Sequence, residues 1–141
     1  QFSLYIIKLF YFFKKKFIYI YIYLYIMSRF NEIHTLEERC TESKKIILKY
    51  PTRIPIIVEK CNRSKLKEID KKKYLVPKDM TMGQFIYVIR KRIQLESSQA
   101  LFVMVNNSLV SSNRLLGEIY EDRASKDGFL YIIYTSENTF G

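Results

Sequence analysis

The stretch Lys71 to Arg92, KKKYLVPKDMTMGQFIYVIRKR, constrains what this chain can fold into more than any other. Tyr74, Leu75 and Val76 form a short aromatic and β-branched run, which predicts a strand. Pro77 has no N–H to give to a ladder, so it marks the end of an edge strand. Thr81, with Gln84 three residues on, makes a capping box that starts a helix at Met82. Phe85, Val88, Ile89 and Ile93 recur at helical spacing and predict a core-facing side. Arg90, Lys91 and Arg92 place positive charge in the last turn, where the helix dipole favours it. An edge strand beside such a helix encloses a groove. An extended peptide can add to that edge, with backbone hydrogen bonds supplying affinity and side-chain pockets specificity. The plainer alternative is a solvated strand, its lysines preventing edge-to-edge aggregation, beside an ordinary core helix.

The flanking segments read as one α+β domain. Ser28 is placed to cap a short helix over Arg29 to His34. Thr35 and Glu38 form a second capping box, opening a helix to about Lys49 with a thin apolar face of Leu36, Ile46 and Ile47. Tyr50-Pro51 ends it, because a residue before proline avoids the α region. Arg53 to Lys60 predicts a strand in which Ile54, Ile56 and Val58 alternate with Pro55, Ile57 and Glu59. Cys61 to Ser64 is turn-forming, and Leu66 and Ile69 tuck a short segment under the sheet. The run Leu101 to Val105 predicts a strand. Asn106-Asn107 turns it, since Asn tolerates left-handed geometry, and Leu109 and Val110 begin a return strand. Asn113 is expected to cap a helix carrying Leu115, Leu116, Ile119 and Tyr120. After a turn at Lys126-Asp127-Gly128, the nearly all-apolar Phe129 to Tyr134 reads as a central strand. The order is helix, helix, strand, strand, helix, strand, helix, strand. That is a ubiquitin-like β-grasp roll with two extra N-terminal helices, in which the helix between strands two and three crosses the sheet.

Residues 1–27 stand apart as a low-complexity aromatic, Ile and Lys segment, and residues 28–141 as the domain. Residues 1–26 carry 11 of the 22 Phe and Tyr residues of the chain, and their charged residues are four lysines. Lys14, Lys15 and Lys16 interrupt the apolar character, whereas a membrane-spanning helix needs about 20 apolar residues. No small-residue cleavage site follows. The restricted vocabulary and the initial Gln are read as translation of AT-rich upstream sequence with an incomplete start. A genuine hydrophobic membrane anchor is the rival reading.

The 24 basic residues less these four leave 20 against 14 acidic ones, a net +6 of the total +10. A basic face suits acidic peptides, anionic lipid or nucleic acid. The aromatics after residue 27 fall at core spacing, and no RRM, KH or zinc-knuckle motif is present, so nucleic acid is not the expected partner. Cys40 and Cys61 form no CxxC pair, which implies neither a zinc site nor a disulfide framework and fits a reducing compartment. There is no Gly-rich phosphate loop, HExxH or GxSxG, and with one histidine, His34, and four glycines an enzyme is not expected. No cofactor, metal or catalytic residue is assigned.

The residues go further than the pattern. KKKYLVP, TMGQF and IRKRI, preceded by KYPTRIPIIVEK and followed by LFVMVNN, LYIIY and a terminal Gly, resemble the GABARAP-type ubiquitin-like autophagy modifiers from about Glu38 to Gly141. The resemblance implies that an activating enzyme adenylates the Gly141 carboxylate, that a conjugating enzyme carries it as a thioester, and that phosphatidylethanolamine receives it. An unbranched terminal residue suits a narrow enzyme channel. In the family a cysteine protease trims residues beyond this Gly and releases the protein from lipid, and the chain ending at Gly141 is read as the mature form. The implied location is cytoplasmic, and autophagosome or cytoplasmic vesicle membrane when lipidated. The resemblance also implies cargo receptors bearing an acidic, aromatic-x-x-aliphatic motif. It puts an aromatic pocket on Glu42, Ile46, Pro55, Lys73, Leu75 and Phe129. It puts an aliphatic pocket on Tyr74, Val76, Pro77, Met80, Phe85 and Val88, and a basic rim on Arg53, Lys71, Lys73 and Arg92. Met80 and Val88 stand where Leu is usual, and Gly128 replaces a common aromatic beside Phe129, which alters the expected peptide preference. The alternative in a different class is a ubiquitin-like trafficking adaptor that is never conjugated.

Overall fold

The computed structural model describes residues 29–136. The low-complexity segment, the Ser28 cap and Gly141 lie outside the described residues. Two units divide the chain, one ending at Leu36 and the other beginning at Glu37. In the first, helix α1 (Phe30–Ile33) follows Arg29, whose backbone N–H donates to the Glu32 carboxylate at 3.2 Å. The Phe30 and His34 rings lie 4.7 Å apart between centroids.

Helix α2 (Leu36–Lys49) runs into the second unit, which contains strands β1 (Arg53–Lys60) and β2 (Lys73–Pro77), helix α3 (Met82–Arg92), strands β3 (Phe102–Val105) and β4 (Ser108–Leu109), helix α4 (Leu116–Arg123) and strand β5 (Leu130–Thr135). The strands form one mixed sheet in the order β2-β1-β5-β3-β4. β1 and β5 are parallel and the other pairs antiparallel. Parallel neighbours need a long crossover, and the chain from β2 through α4 supplies it.

The capping box at Thr81 forms as the spacing predicts. The Gln84 N–H donates to the Thr81 hydroxyl at 3.2 Å, and the Thr81 N–H donates to the Gln84 side chain at 2.9 Å. α3 then buries Met82, Phe85, Ile89 and the following Ile93 against Ile54, Ile56 and Val58 of β1, Tyr74 and Val76 of β2, and Leu130, Ile132 and Tyr134 of β5. Ile69 joins this core, with Leu66 packed against it. The Tyr134 hydroxyl donates to the Lys67 carbonyl at 2.7 Å, which holds the β1–β2 connection against the central strand. β1 is buried without interruption from Ile54 to Glu59, so both of its faces are covered.

Asn106 and Asn107 adopt φ of 52° and 61° between the paired Val105 and Ser108. Two left-handed residues give the twist a two-residue hairpin requires, and Asn accepts that geometry. The return strand is Ser108–Leu109, one residue earlier than the sequence implies, and β5 begins at Leu130 with Phe129 just before it.

One local expectation fails. Asn113 does not cap α4: Leu115 holds the N-cap position with no side-chain hydrogen bond, and the Asn113 side chain accepts from the Ser111 hydroxyl at 2.6 Å. The Met80 carbonyl accepts the Leu116 N–H at 2.8 Å, and the Lys78 carbonyl accepts the Gly117 N–H at 2.9 Å. Backbone oxygens of the β2–α3 loop thus satisfy the helix end that a polar side chain would otherwise serve.

Candidate functional site

β2 forms one edge of the described sheet, and its hydrogen-bonding phase follows from two prolines. Pro55 lies opposite Leu75, and Pro77 opposite Arg53. A proline cannot exchange bonds across a ladder, so these are non-hydrogen-bonded positions of the antiparallel pair. The Val58 N–H donating to the Lys72 carbonyl at 2.8 Å fixes the same phase. Leu75, in that phase, directs its N–H and C=O away from β1, along the sheet plane. This is the border an added strand requires. The Arg53 guanidinium reaches the Leu75 carbonyl at 3.4 Å, a long contact on an exposed side chain.

The α3 side of β2 holds the residues expected to form the aliphatic pocket. Tyr74, Val76 and Phe85 are buried members of the core, and the Tyr74 and Phe85 rings meet edge to face at 5.4 Å. They make a floor rather than a rim. Met80 and Val88 are half-buried beside that floor, while half-buried Pro77 alternates onto the Leu75 face of the strand. The Tyr74 hydroxyl is buried with no hydrogen-bond partner among the described residues. Burial pushes its pKa up to about 12, with Arg92 pulling down and Asp70 pushing up more weakly.

On the opposite face, Leu75 is half-buried beside buried Pro55. Phe129, 1% exposed, precedes the Leu130 that pairs with Ile56, and so adjoins Pro55 as a second piece of floor. Glu42 and Ile46, one turn apart, share a face of α2. The Lys73 ammonium meets the Glu42 carboxylate at 2.6 Å, which brings that face to the strand. Of the six residues expected to form the aromatic pocket, the structure pairs Lys73 with Glu42 and sets Leu75 opposite Pro55, with Phe129 one position before the partner of Ile56. Of the basic rim, Lys73 pairs with Glu42, Arg92 with Asp70 at 3.3 Å, and the Lys71 ammonium lies over the Tyr74 ring at 5.1 Å. These contacts are exposed, so each is worth about 1 kcal/mol or less and leaves the cation open to exchange partners.

Sequence spacing missed what holds α2 in place. The Asp127 carboxylate, 1% exposed, accepts from the Arg39 guanidinium at 2.6 Å, the Tyr131 hydroxyl at 2.5 Å and the Phe129 N–H at 3.0 Å. Burial, reinforced by the bond to Asp127, raises the Tyr131 pKa. The Ser43 hydroxyl donates to the Asp127 carbonyl. At Gly128, φ is +85° and an added Cβ would lie 2.4 Å from the Ser43 oxygen, so only glycine fits. This latch joins α2 to Phe129. No signal in the sequence links Arg39 to a residue 88 positions away.

A mixed five-stranded roll of this order, with a helix packed across one sheet face, defines a ubiquitin-like protein. Residues 38–141 match the family model described as "Autophagy protein Atg8 ubiquitin like". "Autophagy-related protein 8B" of Oryza sativa subsp. indica is 54% identical over 114 residues, 81% of this chain and 96% of the relative. "Autophagy-related protein 8" of Schizosaccharomyces pombe is 53% identical, covering 81% and 94%. The crystal structure of Trypanosoma brucei ATG8 superposes with a TM-score of 0.74 at 44% identity, covering 81% of this chain and 98% of that one. The chain belongs to the Atg8 family of ubiquitin-like autophagy proteins. Among the described residues no helix is long and apolar enough to cross a membrane.

Proposed function

We propose that residues 28–141 form a ubiquitin-like modifier, itself not an enzyme, that is joined through the Gly141 carboxylate to phosphatidylethanolamine and recruits cargo receptors to autophagosome membranes. Activation joins the carboxylate to the α-phosphate of ATP and releases pyrophosphate, a cysteine thiol displaces AMP so that the acyl group is carried as a thioester to the conjugating enzyme, and the lipid amine displaces that thiol to form an amide. Gly141 is substrate throughout. A cysteine protease hydrolyses the amide to recover the protein. Receptors dock as an extended acidic, aromatic-x-x-aliphatic peptide along β2, between the pocket at Leu75 and Phe129 and the one at Met80 and Val88. Buried apolar anchors supply most of such affinity, and the exposed rim of Arg53, Lys71, Lys73 and Arg92 adds steering and specificity.

The observation that carries this reading is the edge position of β2, with the Leu75 backbone groups aimed outward between two apolar floors, in a member of this family. Lipidation with purified activating and conjugating enzymes, ATP and phosphatidylethanolamine liposomes tests the conjugation half. The wild type should give a lipid-bound form that sediments with liposomes, and Gly141→Ala should give none. Equal membrane association of both proteins would favour the unconjugated adaptor or an anchor in residues 1–27.

A further inference from the structure

Helices α3 and α4 begin by capping each other. Leu116 and Gly117 open α4, and their N–H groups have no partner within the helix. They donate to the Met80 carbonyl at 2.8 Å and the Lys78 carbonyl at 2.9 Å. In return, the residues that open α3 use the segment leading into α4. The Met82 N–H donates to the Arg114 carbonyl at 2.9 Å, and the Gly83 N–H to the Ser112 carbonyl at 2.8 Å. Thr81 and Leu115 pair between them as an isolated antiparallel bridge. The β2–α3 loop therefore has its backbone bound to α4, while half-buried Met80 packs against the core beside the aliphatic floor.

Gly117 sets how closely that loop approaches α4. A Cβ there would lie 3.0 Å from both the Cβ and the carbonyl oxygen of Lys78, and 3.4 Å from its Cα. An approach that tight makes the neighbour give by a few tenths of an ångström. α4 resists, because Leu116 and Ile119 are wholly buried in the core. The loop must move, and its own bonds couple its residues. The Lys78 N–H donates to the Thr52 carbonyl at 3.1 Å and the Met80 N–H to the Pro77 carbonyl at 3.2 Å. A displacement at Lys78 thus carries to Met80, two residues on. Gly83 makes a comparable approach, its added Cβ meeting the Ser112 carbonyl at 3.1 Å. Ser111 to Asn113 are exposed, however, and can move outward without touching the pocket.

We propose, resting on the peptide-docking reading above, that Gly117 is a positioning residue that determines specificity at the aliphatic pocket. It lets α4 hold the Lys78–Met80 loop close, which sets where Met80 stands beside the Tyr74 and Phe85 floor. That position decides how well a branched aliphatic side chain of the docked peptide fits. Gly117 itself touches no ligand. A Met80 displaced inward overpacks a leucine, and one displaced outward leaves a gap beside it. Either way leucine loses its advantage over a smaller residue. The aromatic pocket, on the opposite face of β2, should not register the change.

Calorimetry with three synthetic peptides tests this. One carries the acidic, aromatic-x-x-Leu core, one has Ala in place of that Leu, and one has Ala in place of the aromatic residue. The wild type should lose at least tenfold, about 1.4 kcal/mol, from either replacement. In Gly117→Ala the advantage of Leu over Ala should shrink by about threefold or more, while the advantage of the aromatic residue stays within about twofold of the wild type. Gly83→Ala should keep both advantages. A general loosening of the fold would erode the two anchors together, so the split reports position rather than stability. An unchanged Leu advantage in Gly117→Ala, equal erosion of both anchors, or the same erosion in Gly83→Ala would overturn the proposal while leaving docking intact. Ala is the better helix former, which offsets the contact in stability. A Gly117→Ala protein that no longer folds, by urea titration, would assign the contact to folding and overturn the proposal equally. Failure of the Leu peptide to bind the wild type would instead remove the docking reading and this one with it.

Discussion

The two faces of the sheet are held by different physics. On the α3 side, Phe85, Ile89 and Met82 meet Ile54, Ile56, Val58 and Ile132 in an apolar layer with almost no polar atoms. On the α2 side, attachment runs through Asp127, Arg39, Tyr131 and Ser43, with the Lys73–Glu42 pair at the edge. β2 lies where both meet, and its alternate side chains belong to one regime or the other. The apolar face gives the strand a fixed position. The polar face sets how far α2 stands from Leu75 and Phe129, and so, on the proposed docking, the width of the aromatic pocket.

The largest effect should come from the apolar side. Phe85→Ala should cost about 4 kcal/mol of unfolding free energy, from lost transfer and an unfilled cavity, measured by urea titration. Asp127→Ala should cost about 3 kcal/mol, because Arg39, the Phe129 N–H and the Tyr131 hydroxyl all lose their acceptor in a site from which water is mostly excluded. Its cost should change little between low and high salt, since screening acts weakly on buried pairs. A loss under 1 kcal/mol would mean that the latch adds nothing beyond the apolar layer, and the contrast between the faces would collapse.

Binding should respond more locally. Leu75→Asp should weaken an acidic, aromatic-x-x-aliphatic peptide at least tenfold, about 1.4 kcal/mol. It puts a like charge against an acidic ligand and removes the half-buried apolar side chain between the two regimes. Unchanged affinity in calorimetry would defeat the assignment of the groove to β2.

Legibility followed the same division. Repetition along the chain reports an apolar face, so the α3 helix, its capping box and the core positions Phe85, Ile89 and Ile93 were readable from spacing alone. Pro77 announced an edge strand for a steric reason that operates in every context. The Asn106-Asn107 hairpin was readable because two left-handed residues favour few side chains. The start of α4 was not, because its donors are met by the Met80 and Lys78 carbonyls, and a backbone acceptor leaves no residue signature. Asp127 was equally silent: a turn aspartate and a buried ion-pair hub look the same in one sequence. The residues proposed for peptide docking were assigned by resemblance, not by spacing.

The smallest effect tests the one polar blemish in the apolar layer. The Tyr74 hydroxyl is buried without a partner among the described residues, and a buried hydroxyl left unpaired costs about 1 kcal/mol or more. Tyr74→Phe should therefore gain about 1 kcal/mol at neutral pH, where most truncations lose stability. The same burial makes the phenol hard to ionise, which lifts its pKa to about 12 from an ordinary 10, and Tyr134 and Tyr131 are raised as well. A group held protonated by the fold stabilises it fully below the unfolded pKa and loses that contribution as pH rises towards the folded one. Tyr120 is raised by burial too. Unfolding free energy should thus fall from about pH 10 upward, and Tyr74→Phe should make the decline shallower by removing one of these four phenols. Urea midpoints from pH 8 to 12 measure both. A loss of 1 kcal/mol or more at pH 7 in Tyr74→Phe would show that the hydroxyl does have a partner, and that the α3 face is stitched by polar contacts much as the α2 face is.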